Sequence, residues 1–228
     1  MSDRFPHLPW HEAADRVGSS TFRLHTDKAM GTGFLMMVGK GDSGHMAVLA
    51  TAWHVVDDAV AGTSMRICDR SGTEIARSHG GNMAVMEVGA GLDSAILIVT
   101  SKDQIFSEEQ LLPILPIEVQ LAQGAEIGWM GYPGIVEPEL CFFHGHIAGM
   151  LKKPPVYLVD GVAINGVSGG PVFDDRCHLV GLVSAYLPNR VDEGTTLPGV
   201  AWMVPINFIY GWIKANLNPR DKYANQNP

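Results

Sequence analysis

No two cysteines in this 228-residue chain are spaced as a C-x-x-C pair. Cys68, Cys141 and Cys177 are three in number and far apart, which argues against a disulfide scaffold or a zinc ribbon. They read as buried or idle thiols in a reducing compartment. Positive charge is scarce as well, with 16 Lys and Arg against 24 Asp and Glu, and a formal net charge of −8. The densest basic pair is in "LKKPP", so the clustered cations that grip nucleic-acid phosphates are missing and no nucleic-acid partner is expected. Long apolar runs are also lacking: "AILIVT" and "LLPILPIEVQ" fall well short of the ~20 residues of a membrane span, so no membrane partner is expected. The opening "MSDRFPHLPWHEAADR" is polar and acidic where a secretory leader is basic and then apolar. The expected location is cytoplasmic.

What is present is a core. Hydrophobic residues make up 46% of the chain and charged residues 18%, too apolar a balance for disorder. Short runs rich in Val, Ile, Met, Phe and Thr recur between Gly, Asp, Asn and Pro, the signature of an all-β chain. "TFRLHT", "GTGFLMMVG", "HMAVLATAW", "TSMRICD", "TEIARSH", "MAVMEVG" and "DSAILIVT" precede a proline-bearing stretch. "AEIGWMGY", "LCFFHGHIAG", "VYLVDGV", "GPVFD", "HLVGLVSAYL" and "VAWMVPI" follow it. The rhythm predicts two packed antiparallel barrels of about six strands each. The expected organisation is an N-terminal extension over 1–20, a first lobe over 21–100, a linker over 101–123, a second lobe over 124–217 and a disordered tail over 218–228. Two stretches read as helix: "PWHEAADRVG" near the start, and "PINFIYGWIKANL", which aligns Ile206, Ile209, Tyr210 and Ile213 on one face and closes the second lobe.

"GVSGGPVF" sets Ser168 among three glycines. The stretch satisfies the G-x-S-x-G elbow of α/β-hydrolases, but that fold needs an acid and then a histidine after the serine. Only His178 follows, ahead of Asp192 and Glu193, and alternating βα units are missing. The opposite order, His then Asp then Ser, is present in context. "LATAWHVV" carries His54 just past a strand, "LDSAILIV" carries Asp93 at the mouth of a strongly apolar strand, and Ser168 follows. Asp57 and Asp58 also stand near His54, but both are expected in solvent just beyond it. Taken together, the three segments resemble the chymotrypsin-fold serine proteases, and their short forms are most similar to the HtrA-type branch, over roughly Gly31 to Leu217. The resemblance implies a chymotrypsin-like double barrel of two six-stranded antiparallel barrels with a C-terminal helix, and a peptidase without cofactor.

The residue types suit that chemistry. A serine hydroxyl is a weak nucleophile until a base takes its proton, the role the resemblance gives His54. A buried Asp93 carboxylate would fix the imidazole tautomer and stabilise the imidazolium. The backbone N–H groups of Gly166 and Ser168 would receive the oxyanion, with glycine permitting the tight turn. By the same resemblance, Ser184 hydrogen-bonds the triad carboxylate, and Ala185 and Tyr186 lie along an extended polypeptide substrate. Val162 falls at the base of the specificity pocket with Ala163 beside it, Asn165 at its rim and Gly199 on its wall. With no acid at the base, small or medium apolar side chains are expected before the scissile bond.

Val167 stands where the digestive enzymes carry an aspartate that pairs with a newly cleaved N-terminus, so activation by clipping is not expected. Restraint is expected from narrow specificity or an activating partner protein, with "LPNRVDEGTTLPG" as a movable rim loop. His144 and His146 in "FHGHI" share a strand face, but no neighbouring residues complete a zinc set, so hydrogen-bonded strand histidines and no metal are the expectation. The reading is a bacterial serine endopeptidase. Its rivals are a catalytically silent peptide binder in the same cleft, and an esterase or acyltransferase using the same three groups.

Overall fold

The computed structural model describes residues 6–41, 44–61, 63–89, 91–190 and 196–217, with the side chains of 61, 186–190 and 196–198 outside that description. It opens with a helix, α1 (Trp10–Gly18), then β1 (Thr21–His25), β2 (Met30–Gly41) and β3 (Gly44–Thr51). A one-turn helix, α2 (Trp53–Val56), precedes β4 (Arg66–Cys68), β5 (Glu74–Arg77), β6 (Met83–Glu87) and β7 (Ala95–Ser101). The second half holds β8 (Glu126–Gly131), β9 (Cys141–Lys152), β10 (Pro155–Val159), β11 (Pro171–Phe173), β12 (Leu179–Arg190), β13 (Thr196–Pro205) and α3 (Ile206–Asn216).

Each apolar run identified as a strand forms one. In the first lobe they make a seven-stranded sheet in the order β5-β4-β1-β2-β3-β7-β6, curled into a half-barrel. The second lobe is a closed six-stranded barrel, β10-β13-β12-β11-β8-β9. The architecture is the chymotrypsin-like double barrel. "TSMRICD" and "TEIARSH" form two short strands at one edge of this sheet, with Ile67 of β4 opposite Leu24 of β1 on one side and Ala76 of β5 on the other.

Leu24, Phe34, Leu49, Ile67, Ile96 and Leu97 are fully buried in the first lobe, the adjacent pair Ile96 and Leu97 showing that β7 is covered on both faces. Side chains of this size contribute about 1.5–3 kcal/mol apiece on burial. Ile127, Trp129, Val159, Val172 and Val183 fill the second barrel. The helix α1 buries Ala13 and Val17, and Trp10 meets Phe142, His144 and Phe173 on the outside of the second barrel. The helix α3 buries Ile206, Ile209 and Ile213, while Tyr210 sits at the edge with Lys214 over its ring.

Between β7 and β8 the chain makes a short 3-10 turn, capped by reciprocal bonds between Ser107 and Gln110, and buries Phe106 and Leu112. It then bonds to the start of β12, with Leu179 N–H donating to Pro113 O (2.7 Å) and Leu115 N–H to Leu179 O (3.0 Å). The stretch expected as a rim loop differs. Its flanks continue the β12–β13 ladder, with Asn189 opposite Leu197 and Arg190 opposite Thr196, because the hairpin arms keep exchanging backbone bonds well past the barrel. Its centre, 191–195, lies outside the described residues, as does the tail 218–228.

Candidate active site

His54 reaches the seam between the lobes because β3 ends at Thr51 and α2 turns immediately. Val55 and Val56 are buried beneath that turn and leave His54 on the outer face. Asp93 comes from the loop before β7, in a left-handed conformation (φ 51°) that aspartate tolerates better than most residues. Buried Ser94 pins the loop, its Oγ donating to Val88 O (2.6 Å) and its carbonyl accepting from Val88 N–H (2.8 Å). So held, the Asp93 carboxylate accepts from His54 Nδ1 at 2.9 and 3.0 Å and from the His54 backbone N–H at 3.0 Å.

A fourth bond comes from the other lobe: Ser184 Oγ donates to Asp93 Oδ2 (2.7 Å). Strict alternation would not aim it there. Val183 faces Met203 and Ala185 faces Trp202, so Ser184 is the extra residue of a β-bulge, which re-aims its side chain. Burial alone would raise the Asp93 pKa, but the bonds from His54 and Ser184 outweigh it and the net shift is downward. The His54 pKa moves up, chiefly through its hydrogen bond to Asp93 and against the opposing effect of burial.

Asp57 is exposed as expected. Asp58 departs from the expectation: both its carboxylate oxygens are shielded from solvent and find no partner among the described residues, because the 3-10 turn after α2 packs against β6. Neither aspartate bonds to His54.

The Ser168 turn lies across the seam from the segment that carries His54. Thr32 N–H donates to Ser168 O (2.8 Å), and a Cβ on Gly31 would strike both Val55 and Ser168 O. A Cβ on Gly169 would come within 2.8 Å of Ala52 N. Among the described residues no hydrogen bond joins Ser168 Oγ to His54, whose Nδ1 is engaged by Asp93. Within the turn, Val167 N–H donates to Ile164 O, Gly169 N–H to Val183 O and Gly170 N–H to Val167 O. The N–H groups of Gly166 and Ser168 have no acceptor among the described residues. Gly166 has φ 95°, and a Cβ there would run into Tyr132 O.

The predicted specificity residues spread over the loop between β10 and β11 and the strands β12 and β13. Val162 is 48% exposed, and its carbonyl accepts from Trp129 Nε1 (3.3 Å). Ala163 is 8% exposed, and Asn165 is exposed with its carbonyl accepting from Gly134 N–H (2.9 Å). Ala185 and Tyr186 lie on β12 opposite Trp202 and Ala201, and Gly199 lies on the neighbouring β13. Val167 is fully buried in the second barrel.

A sequence profile of the trypsin-like peptidase domain matches residues 31–182, well over half of the chain. The chain belongs to the trypsin-like peptidase family. It is a serine protease, and its fold is shared with HtrA-type enzymes. The serine endoprotease of Yersinia pestis superposes with a TM-score of 0.68 at 16% identity, covering 93% of this chain and 68% of that one. A variant of the HtrA-type protease AlgW, solved with a tripeptide, gives 0.68 at 16% identity, over 93% of this chain and 64% of that one. The Mycobacterium tuberculosis protease Rv3671c, in an inactive form, gives 0.63 at 18% identity, over 89% and 91%. No curated protein matches the sequence significantly.

Other groups in this peptidase have structural partners. His144 pairs with Glu126 (2.8 Å), and His146 pairs with Asp160 (3.3 Å). No set of three or more metal-ligand side chains converges among the described residues. Cys68 and Cys177 are buried, Cys141 is partly so, and burial raises the thiol pKa of Cys141 and Cys177. Sequence reasoning missed Thr32, which ties the Ser168 turn to the first lobe, and its partners Thr51 and Tyr132. The only trace was a threonine between two glycines in "GTGF".

Proposed function

We propose that this protease is an endopeptidase in which Ser168 is the nucleophile, His54 the general base and acid, and Asp93 its orienting carboxylate. One observation carries the reading: the Asp93 carboxylate is shared between His54 of the first lobe and Ser184 of the second, beside the Ser168 turn. An ionised Asp93 only accepts, so the proton of neutral His54 resides on Nδ1 and Nε2 keeps its lone pair. That nitrogen takes the Ser168 proton as Oγ bonds to the substrate carbonyl carbon. The carbonyl oxygen becomes an oxyanion facing the unpartnered N–H groups of Gly166 and Ser168. His54 then delivers its proton to the departing amine, leaving an acyl-enzyme that water cleaves by the same steps in reverse.

An extended polypeptide runs beside β12 at Ala185 and Tyr186, and small or medium apolar side chains enter between Val162, Ala163 and Gly199. Val167, an apolar residue before the nucleophile, supports control by specificity or a partner protein over control by N-terminal clipping. The unpaired thiols support a cytoplasmic, reducing setting.

Cleavage of a peptide library, mapped by mass spectrometry, tests the reading. Cuts after Ala, Val, Leu or Met support it. Cuts confined to Lys or Arg refute the pocket, and turnover of small esters without peptide cleavage transfers the three groups to an esterase.

A further inference from the structure

The turn that carries Ser168 is rich in glycine and therefore weakly restrained by its own sequence. Its four peptide planes are held one by one. Asn165 O accepts from Gly134 N–H, and Val167 O accepts from Gly170 N–H. The other two planes, whose N–H groups bond to Ile164 O and Val183 O, are each bonded a second time through their carbonyls by one residue of the first lobe. Thr32 Oγ1 donates to Gly166 O (2.7 Å), and Thr32 N–H donates to Ser168 O (2.8 Å). Those planes flank the Val167–Ser168 peptide, whose N–H is one of the two unpartnered donors.

The hydroxyl of Thr32 has no freedom to choose another partner. Oγ1 also accepts from Tyr132 N–H (3.0 Å), which directs its own proton to Gly166 O. Thr51 Oγ1 donates to Thr32 O (2.8 Å) and fixes the backbone behind it. Thr32 is fully buried, so water cannot replace a lost bond.

We infer that Thr32 is a positioning residue: by holding the Gly166–Val167 and Ser168–Gly169 planes from across the lobe boundary, it restrains the orientation of the adjoining Gly166 and Ser168 N–H groups. The inference rests on the peptidase reading above and adds to it a dependence on one buried hydroxyl. Rotating those donors away from a developing oxyanion forfeits part of the factor of about 10²–10³ that a single such donor supplies.

The test compares the full-length wild type with Thr32→Val, Thr32→Ser and Thr21→Val. Valine keeps the shape of threonine without its hydroxyl, and serine keeps the hydroxyl. Thr21 is an equally buried threonine that bonds to Val17 O and serves as the stability control. On a peptide the wild type cleaves, Thr32→Val lowers kcat by about 10–100-fold with KM within about 2-fold. Thr32→Ser stays within about 3-fold of wild type, and Thr21→Val leaves kcat unchanged at a similar loss of melting temperature. Amide exchange of the 164–170 segment accelerates in Thr32→Val and not in Thr32→Ser. An unchanged kcat and exchange in Thr32→Val overturns the inference, as does an equal kcat loss in Thr21→Val. A wild type that neither cleaves peptides nor labels at Ser168 defeats the peptidase mechanism instead, and the exchange comparison still decides whether Thr32 orders the turn.

Discussion

Ser184 of the second lobe donates its hydroxyl proton to Asp93 of the first, at 2.7 Å, alongside the bond that Asp93 accepts from His54. The contact joins the two lobes through the group that orients the imidazole. Ser184→Ala leaves one carboxylate oxygen with a donor fewer in a largely buried position. A hydrogen bond to a charged group contributes about 1.5–3 kcal/mol, and partial exposure of Asp93 places this one near the lower end. We expect a loss of roughly 1.5 kcal/mol by chemical denaturation and a fall in kcat of roughly 3–10-fold. Unchanged values in both would separate Ser184 from the site.

The pH dependence follows from the same carboxylate. His54 titrates above the ordinary imidazole value of about 6.5, so kcat/KM should rise with pH through a midpoint higher than that. Asp93→Asn removes the principal cause of the shift, and the midpoint should drop while the rate falls by about 10⁴-fold. Stability obeys its own signs. The His54 contribution is complete below about pH 6.5 and disappears as pH rises through the raised folded value. The Asp93 contribution is present above about pH 3.9 and disappears as pH falls through the lowered one. The difference in melting temperature between wild type and Asp93→Asn should therefore peak between about pH 4 and 6.5. A difference that instead grows steadily toward alkaline pH would contradict the pairing.

Gly166 and Gly80 separate backbone strain from collision. Both have positive φ, 95° and 58°, but an added Cβ meets Tyr132 O at Gly166 and open space at Gly80. Gly80→Ala should cost about 1 kcal/mol and leave the rate alone. Gly166→Ala should cost about 3 kcal/mol or more and lower kcat by about 10²-fold, since the turn must shift to admit the methyl group. Equal penalties in the two variants would show that Gly166 serves only its own backbone conformation.

The sequence disclosed the strands well, because alternation and turn residues act locally. All thirteen apolar runs form strands, and the helices over α1 and α3 follow from their spacing. The chain order of His54, Asp93 and Ser168 pointed to a shared site, and the fold brings their segments to one seam. Features made by distant contacts were not legible. The bulge at Ser184 depends on the register of β12 against β13, and the enclosure of Asp58 depends on how the turn after α2 packs on β6. Thr32 reads as an ordinary strand residue, since the partners of its hydroxyl lie 100 and 134 positions away along the chain.

Labelling with a fluorophosphonate tests the central claim most directly, because the reagent bonds to an activated serine and reports its position. Intact-mass and peptide mapping should find one adduct, on Ser168, lost in Ser168→Ala and strongly slowed in His54→Ala, with both variants folded. No adduct at Ser168 in the folded wild type, or equal labelling in His54→Ala, would contradict the account.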